Sequence, residues 1–139
     1  MEFWEDKEHR ILKTEIFSKL ADDEAKAASK EKIKDKKGNE KQTNNYSQIR
    51  KFYDEIMIHK TYLMLKPEKD RSDIFKQRIP YIKMMNAKLA YSNARGYIGD
   101  KFHAMLKGCI NSIEDIDDFY AFSDFFEAFI AFYRQYNDK

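Results

Sequence analysis

Two adjacent cations, Arg50 and Lys51, stand where a helix is predicted to begin. Asn45 is a suitable N-cap for that helix, and Gln48 follows it at the spacing of a capping box. The free N–H groups and the macrodipole of a helix N-terminus favour an anion, so cations added there indicate a phosphate-binding site. The alternative is that both side chains simply extend into water, as exposed Arg and Lys commonly do.

A second set of candidate residues shares one face of a helix predicted over residues 80–95. Lys88 and Arg95 are about 10 Å apart along this helix, which suits phosphates more than one nucleotide apart, and tyrosines near them can stack on bases. Amphipathic packing with both cations snorkelling at its edge explains the spacing equally well. The neighbouring face, with Ile82, Met85 and Leu89, is predicted to be core. The members of the set recur every three or four positions, as Tyr81, Met84, Lys88, Tyr91 and Arg95.

Residues that commonly catalyse reactions or bind metals are not grouped in this sequence. His9, His59 and His103 are scattered, and no HExxH or CxxC motif is present. Arg95 and His103 resemble the Arg–His pair of some helical ribonucleases. Seven residues separate them, two of which are glycines, and this breaks the required spacing and the helix. Cys109, the single cysteine, is predicted to be a buried small hydrophobe. One cysteine allows no intrachain disulfide, which fits a reducing cytoplasm. The sequence thus predicts no metal and no cofactor.

The composition indicates an all-α fold. The 139 residues include no valine, few glycines and prolines, and 21 aromatic side chains, which can fill one core. We therefore predict a compact single-domain bundle of about five to six helices. Its parts are an N-terminal helix within residues 1–21, a charged linker or partly helical insertion over 22–45, and a bundle core over 46–139.

Hydrophobic periodicity predicts the positions of the individual helices. The first is expected over residues 5–20, with Ile11, Leu12, Ile16 and Leu20 facing inward. A second runs from Tyr46 to about Leu65, and a third follows a cap at Ser72, with Pro80 kinking or restarting it. A short helix over 100–110 precedes a final helix that begins in the acidic run at 114–118. The aromatic stripe of that last helix predicts central packing or burial against a partner.

The formal net charge of +2 conceals an uneven distribution. Residues 1–45 are neutral overall, residues 46–110 carry +7, and residues 111–139 carry −5. A basic face can meet a polyanion, and an acidic face can meet a basic neighbour, including another copy of the chain. We therefore expect charge reversal at Asp117 and Asp118 to weaken self-association. The charge run before residue 46 is predicted to be solvated, and neither a signal peptide nor a membrane span is expected.

Three segments taken together are similar to one family. In chain order these segments resemble the small helical subunit of the type III-A CRISPR (Csm) effector complex. The resemblance covers about residues 45–136, and the region before it is expected to be variable. The combination is more specific than any one motif. The segments are SQIRKF at 47–52, KLAYSNARG at 88–96 and FSDFFEAFIAFY at 122–133.

This resemblance implies a non-catalytic bundle whose copies stack head to tail within a ribonucleoprotein filament of antiviral defence. Cleavage of RNA then belongs to the backbone subunit, and the other activities belong to the large subunit. The implied partners are guide RNA, single-stranded target RNA, the large and backbone Csm subunits and further copies of the chain, in the cytoplasm and without a membrane. By motif position, the residues implied for RNA contact are Arg50, Lys51, Lys88 and Arg95, followed by Gln48, Tyr91 and Lys83.

Two other functions stay open from the residues alone. One is a helical protein–protein adaptor whose basic face docks an acidic protein without RNA contact. The other is the helical ribonuclease. Neutralising the four implied cations should lower RNA binding if the chain is the RNA-contacting subunit. Loss of RNA cleavage after substitution of Arg95 or His103 would indicate the enzyme.

Overall fold

The computed structural model describes residues 1–137, so Asp138 and Lys139, the end of the predicted bundle core, lie outside the described residues. Six helices are present: α1 (Lys19–Lys30), α2 (Tyr46–Met64), α3 (Glu68–Lys83), α4 (Met85–Ala94), α5 (Asp100–Asn111) and α6 (Ile116–Tyr136). Strands β1 (Trp4–Asp6) and β2 (Ile11–Leu12) pair antiparallel, as do β3 (Lys32–Lys34) and β4 (Glu40–Gln42). The mostly helical fold is confirmed, but the two hairpins show that the chain is not purely all-α.

The helix predicted over residues 5–20 is wrong, because the β1–β2 hairpin occupies its first half and α1 begins only at Lys19. Trp4 Nε1 and Lys7 Nζ donate to the two carboxylate oxygens of Asp118, at 2.8 Å and 2.9 Å. These contacts hold β1 against the start of α6. Ile11, expected to face inward, is 52% exposed. Long-range hydrogen bonds thus override a helical periodicity that was only local.

The segment over residues 22–45 is more ordered than a linker. The predicted partial helix is confirmed as part of α1, but a β3–β4 hairpin with Gly38 in its turn (φ 82°) replaces the expected loop. Ala21, Ala25 and Ala28 are buried on one face of α1. Since these side chains are small, they let α1 lie close to α6, against which it packs.

Helix α6 lies at the centre of the molecule, which confirms central packing within the chain. The side chains of its aromatic stripe are at most 1% exposed. The rings contact one another along the helix, with Phe129 and Tyr133 stacked at 5.7 Å between centroids. Such ring pairs add specific geometry to the burial of apolar surface. The buried rings are those of Phe119, Phe122, Phe125, Phe126, Phe129 and Tyr133.

A buried asparagine joins several helix ends just before α2. Asn44 adopts a left-handed backbone (φ 57°) and is fully buried. Its amide donates to the carbonyl of Ala28 at 2.8 Å, and its side-chain oxygen accepts from the N–H of Gly99 at 2.8 Å. The hydroxyl of Tyr133 donates to the Asn44 carbonyl. Asn44 thus fixes the entry to α2 relative to α1, α5 and α6.

Most of the other predicted helix bounds agree with the structure. Helix α2 has the predicted extent, and α5 and α6 begin within two residues of expectation. Helix α3 begins at Glu68, four residues before the predicted cap at Ser72. It continues through Pro80, and the break comes later, at Met84, where α4 follows directly. The predicted restart of the helix at Pro80 is therefore displaced.

Candidate nucleic-acid interface

An open groove of about 530 Å³, here called the α2–α4 groove, runs between those two helices. Gln48 and Lys51 lie on its α2 wall, and Lys88 and Tyr91 lie on its α4 wall. Four of the seven residues predicted for RNA contact are therefore brought together from two distant parts of the chain. The other lining residues are Phe52, Glu55, Met84, Ala87 and Ser92.

Core residues hold both walls of the groove in place. Ile49 and Ile56 bury one face of α2, and Leu89 buries one face of α4. The side chains at the intervening helical positions are therefore directed outward. The N–H of Asn45 donates to the carbonyl of Tyr97 at 2.9 Å, which fastens the start of α2 to the chain just after α4. The groove is thus built on rigid elements rather than on loops.

The helix predicted over residues 80–95 is divided between α3 and α4, with the break at Met84, but the predicted face is exposed on both parts. All five of its members are exposed, and the residues predicted for its core side are buried. Tyr91 is 63% exposed and Met84 is 51% exposed, so packing within the chain does not account for them. A run of exposed apolar surface beside cations is typical of a binding surface.

The cap predicted for α2 is half confirmed. Asn45 Oδ1 accepts a hydrogen bond from the N–H of Ser47 at 2.9 Å. Within residues 1–137 the Gln48 side chain forms no hydrogen bond, so the returning half of the capping box is not made. The Gln48 amide is consequently available at the mouth of the groove.

The two lysines of the groove differ in their electrostatic environment. Lys88 forms an ion pair with Glu55 on the opposite wall. Lys51 has no ion-pair partner in the part of the chain that the structure describes. An anion entering the groove therefore meets one free cation, and it must compete with Glu55 for the second.

Three of the predicted RNA-contact residues, Arg50, Lys83 and Arg95, lie outside the α2–α4 groove. Arg50 faces away from it, pairs with Asp54 at 3.0 Å and lies 5.1 Å from the ring centroid of Tyr53. Lys83 points towards the end of α5, where its Nζ lies 3.5 Å from the carbonyl of Asn111. Adjacent positions on a helix are about 100° apart, which explains why Arg50 and Lys51 do not act on one site. Contact of Arg50 and Lys83 with RNA stays a prediction.

Arg95, at the end of α4, borders a second cavity of about 610 Å³, here called the hairpin groove. A close approach brings the β3–β4 hairpin to this end of α4. Gly96 has a φ of 76°, and a Cβ there would lie only 2.9 Å from the Cδ1 atom of Ile33. The hairpin adds four cations to the surface beside Arg95, namely Lys34, Lys36, Lys37 and Lys41.

Sequence reasoning missed these hairpin lysines, because their charge run was interpreted as solvated. The signal available was Gly38-Asn39, a dipeptide that is typical of a hairpin turn. Arg95 continues the exposed face that carries Lys88 and Tyr91, one helical turn apart. The hairpin groove and the α2–α4 groove therefore flank the same exposed face of α4.

No catalytic cluster lies in either groove among the residues described. His59 is buried on α2, where Arg78 donates to its Nδ1, and burial together with Arg78 lowers the pKa of His59. Cys109 is buried as predicted, and burial raises the pKa of its thiol to about 12. One group with the composition of a metal site, Asp6, Glu8 and His9, lies in the exposed β1–β2 turn, where its hydrogen bonds stabilise the turn itself.

Three aspartates of the acidic run at the start of α6 have partners within the chain. Asp115 caps α6 by accepting from the N–H of Asp118 at 2.9 Å. Asp117 pairs with Arg10 at 2.7 Å, and buried Asp118 is held by Lys7. Asp118 is therefore engaged within the chain, whereas Asp117 forms only an exposed ion pair, and its role in self-association stays a prediction. Charge reversal at Asp118 would disturb the fold of a single chain.

The fold and the two grooves define a small, mostly helical protein with a cationic surface suited to a polyanion. The comparison with family models matches residues 18–139 to the family described as Csm2 Type III-A. The chain belongs to this family, which forms the small subunit of the type III-A Csm complex of CRISPR defence. Neither the curated proteins nor the solved structures gave a significant match.

The family match begins at residue 18, earlier than the resemblance stated from the sequence segments. Helix α1 and the β3–β4 hairpin therefore lie within the matched region. None of the helices in the described residues combines the length and the apolar character needed to cross a membrane.

Proposed function

We propose that the protein is a non-catalytic small subunit that contacts the backbone of guide or target RNA within the Csm complex. The observation that carries this proposal is the convergence of Lys51 and Lys88 from two helices on one open groove, continued by Arg95 and the hairpin lysines. Cations spaced along a groove suit a chain of phosphates. Membership of the Csm2 family gives such a surface a place in a ribonucleoprotein.

The proposed contact is independent of RNA sequence. Cationic side chains that reach phosphates position a strand but do not read its bases. In an RNA-guided complex the guide supplies specificity by base pairing, so a subunit that binds only backbone is sufficient. A single chain making about two to four phosphate contacts should bind weakly, and repetition along an assembly should provide the affinity.

We also propose that several copies stack along the filament. Support comes from the family and from the separation of charge along the chain, with the positive excess in residues 46–110. The surface that joins the copies cannot depend on Asp118, which is buried and already bound within the chain. Sedimentation of the full chain at low and high salt tests this: self-association that weakens with salt supports stacking through charge, and a monomer at all concentrations contradicts it.

The RNA proposal is tested by fluorescence anisotropy with a labelled single-stranded RNA. We expect the Lys51→Gln, Lys88→Gln double variant to bind more weakly and to lower the log–log salt slope by about 1.4, or about 0.7 for each lost contact. Lys69→Gln with Lys76→Gln is the matched control, because both lysines are exposed on α3 outside the grooves. Equal losses in the two double variants would indicate non-specific attraction and contradict the proposal.

Subunit binding and RNA cleavage, measured beside RNA binding, separate the alternatives. If the full chain binds other Csm subunits but no RNA, and RNA protects none of its surface, the adaptor function is correct. If the chain cleaves RNA and the His103→Ala variant does not, the ribonuclease is correct. His103 is on α5 and lines neither groove, so the geometry favours RNA contact without cleavage.

A further inference from the structure

We infer that the α2–α4 groove receives one unstacked nucleobase of the bound RNA strand, with Tyr91 as a stacking surface and Ser92 as a hydrogen-bond partner. This inference rests on the proposed RNA contact and names what part of the RNA enters the groove. Lysines at a groove rim account for phosphates, but they do not account for the apolar walls or for the buried hydroxyl between them.

The walls of the groove have the wrong chemistry for a phosphate. Phe52, Met84 and Ala87 contribute apolar surface between the two lysines. A phosphate placed against them would lose hydration without gaining hydrogen bonds. A nucleobase has two apolar faces and polar edges, so it suits a groove of apolar walls with a few polar groups. The volume of about 530 Å³ is in the range of small-ligand sites.

The second observation is an unpartnered polar side chain in the wall of the groove. Ser92 is only 3% exposed, and its Oγ has no hydrogen-bond partner among the described residues. Ser123, the other buried serine, instead donates to the carbonyl of Tyr120 at 2.9 Å. Buried polar groups are normally paired, so an orphaned hydroxyl that lines a groove indicates a partner supplied from outside the chain.

The arrangement of the cations also suits a base between two phosphates. Lys51 and Lys88 stand on opposite walls, so phosphates on either side of an inserted nucleotide each meet a lysine. Lys88 lies one helical turn before Ser92 on the same face of α4. Tyr91, which is exposed beside them, offers its ring to one face of the base.

Methyl NMR of the full chain, labelled at Met and Ala methyl groups, tests the inference directly. Adenosine monophosphate should shift the Met84 and Ala87 signals upfield, because a base ring near them exerts a ring current. Ribose 5-phosphate, which lacks the base, should not produce these shifts. The methyl of Met105, on α5 outside the groove, is the internal control and should not move. Shifts of equal size with both ligands would overturn the inference.

Two variants sharpen the result. Tyr91→Ala should lower the nucleotide affinity, measured from the concentration dependence of these shifts, about tenfold, as expected for loss of one base stack. Ser92→Ala should lower the same affinity about threefold, as expected for loss of one hydrogen bond. Ser123→Ala is the matched control and should not change nucleotide binding. If Ser92→Ala and Ser123→Ala behave alike, Ser92 does not contact the base.

A third arm distinguishes RNA from a free nucleotide. A short single-stranded oligoadenylate should produce the same methyl shifts, and an abasic oligomer of equal charge should not. If only the mononucleotide acts, the groove is a nucleotide site and the RNA assignment is wrong. If RNA binds in a Lys51-dependent manner but Met84 and Ala87 do not move, the backbone contact stands and the base site is overturned. Absence of any RNA binding would overturn both.

Discussion

Glu55 is the acidic residue in the proposed RNA-binding groove, and its neutralisation gives a test that misfolding cannot mimic. The Glu55→Gln variant keeps the size of the side chain but removes the charge that holds Lys88. Most variants of a binding surface lose affinity, including those that unfold. We expect this variant to bind single-stranded RNA more tightly than the original chain.

The size of the gain follows from two terms. A phosphate about 7 Å from the carboxylate would be repelled by roughly 0.6 kcal/mol in water, and salt near 0.1 M reduces this to about 0.3 kcal/mol. Release of Lys88 from an exposed ion pair contributes roughly 0.2–0.7 kcal/mol more. The total of about 0.5–1 kcal/mol corresponds to a two- to fivefold higher affinity.

The measurement is fluorescence anisotropy of a labelled RNA over a range of salt concentrations. Because Lys88 contacts a phosphate in both chains, the affinity should rise at each salt concentration while the log–log salt slope stays close to that of the original chain. Asp54→Asn is the matched control, since Asp54 pairs with Arg50 on the side of α2 that faces away from the groove. An unchanged or lower affinity of Glu55→Gln, or an equal gain in Asp54→Asn, would refute the assignment of the groove.

The remaining predictions concern the buried groups that support the fold. Asp118→Ala should lower the free energy of unfolding by about 1–3 kcal/mol, because it leaves the indole N–H of Trp4 and the backbone N–H of Glu114 without their acceptor. Asp124→Ala, which removes a partly exposed pair, should cost less than about 1 kcal/mol. Urea denaturation followed by Trp4 fluorescence measures both, and equal losses would contradict the assigned role. Burial alone would raise the pKa of Asp118, but hydrogen bonds led by that from Lys7 outweigh it and lower that pKa. The carboxyl therefore stabilises the fold fully above its unfolded pKa of about 3.9, and this contribution is lost as the pH falls through the lower folded pKa. The acid-unfolding midpoint should shift in Asp118→Ala and stay constant in Asp124→Ala. Since the pKa of Cys109 is about 12, its thiol should react with a disulfide reagent at pH 8 only after denaturation, and rapid labelling of the folded chain would contradict its burial.

The helices of the bundle were predictable where the apolar period was long and the caps were local. Helix α6 has an aromatic stripe over most of its length, and Asp115 caps it by a bond that spans three residues. Helix α2 likewise has a long apolar period and a local cap, at Asn45. By contrast, β1 depends on Asp118, more than a hundred residues away, and no local pattern reveals such a partner.

The candidate site was predictable in part for the same reason. The common face of Lys88, Tyr91 and Arg95 follows from helical spacing alone. That Lys51 faces this surface and Arg50 does not depends on how α2 rotates in the bundle, which its buried residues decide. Glu55 and the β3–β4 lysines enter the site only through tertiary packing, which sequence spacing does not contain.

The family match begins at residue 18, but the folding unit begins earlier. Trp4 and Lys7 satisfy the carboxylate of Asp118 at the foot of the central helix. A fragment trimmed to the matched region would keep both candidate grooves but would lose Phe3, whose ring packs 5.6 Å from that of Phe125, and so would uncover part of the aromatic core. Expression of such a fragment should give aggregated material, so the homology boundary is a poor guide to where this chain can be cut.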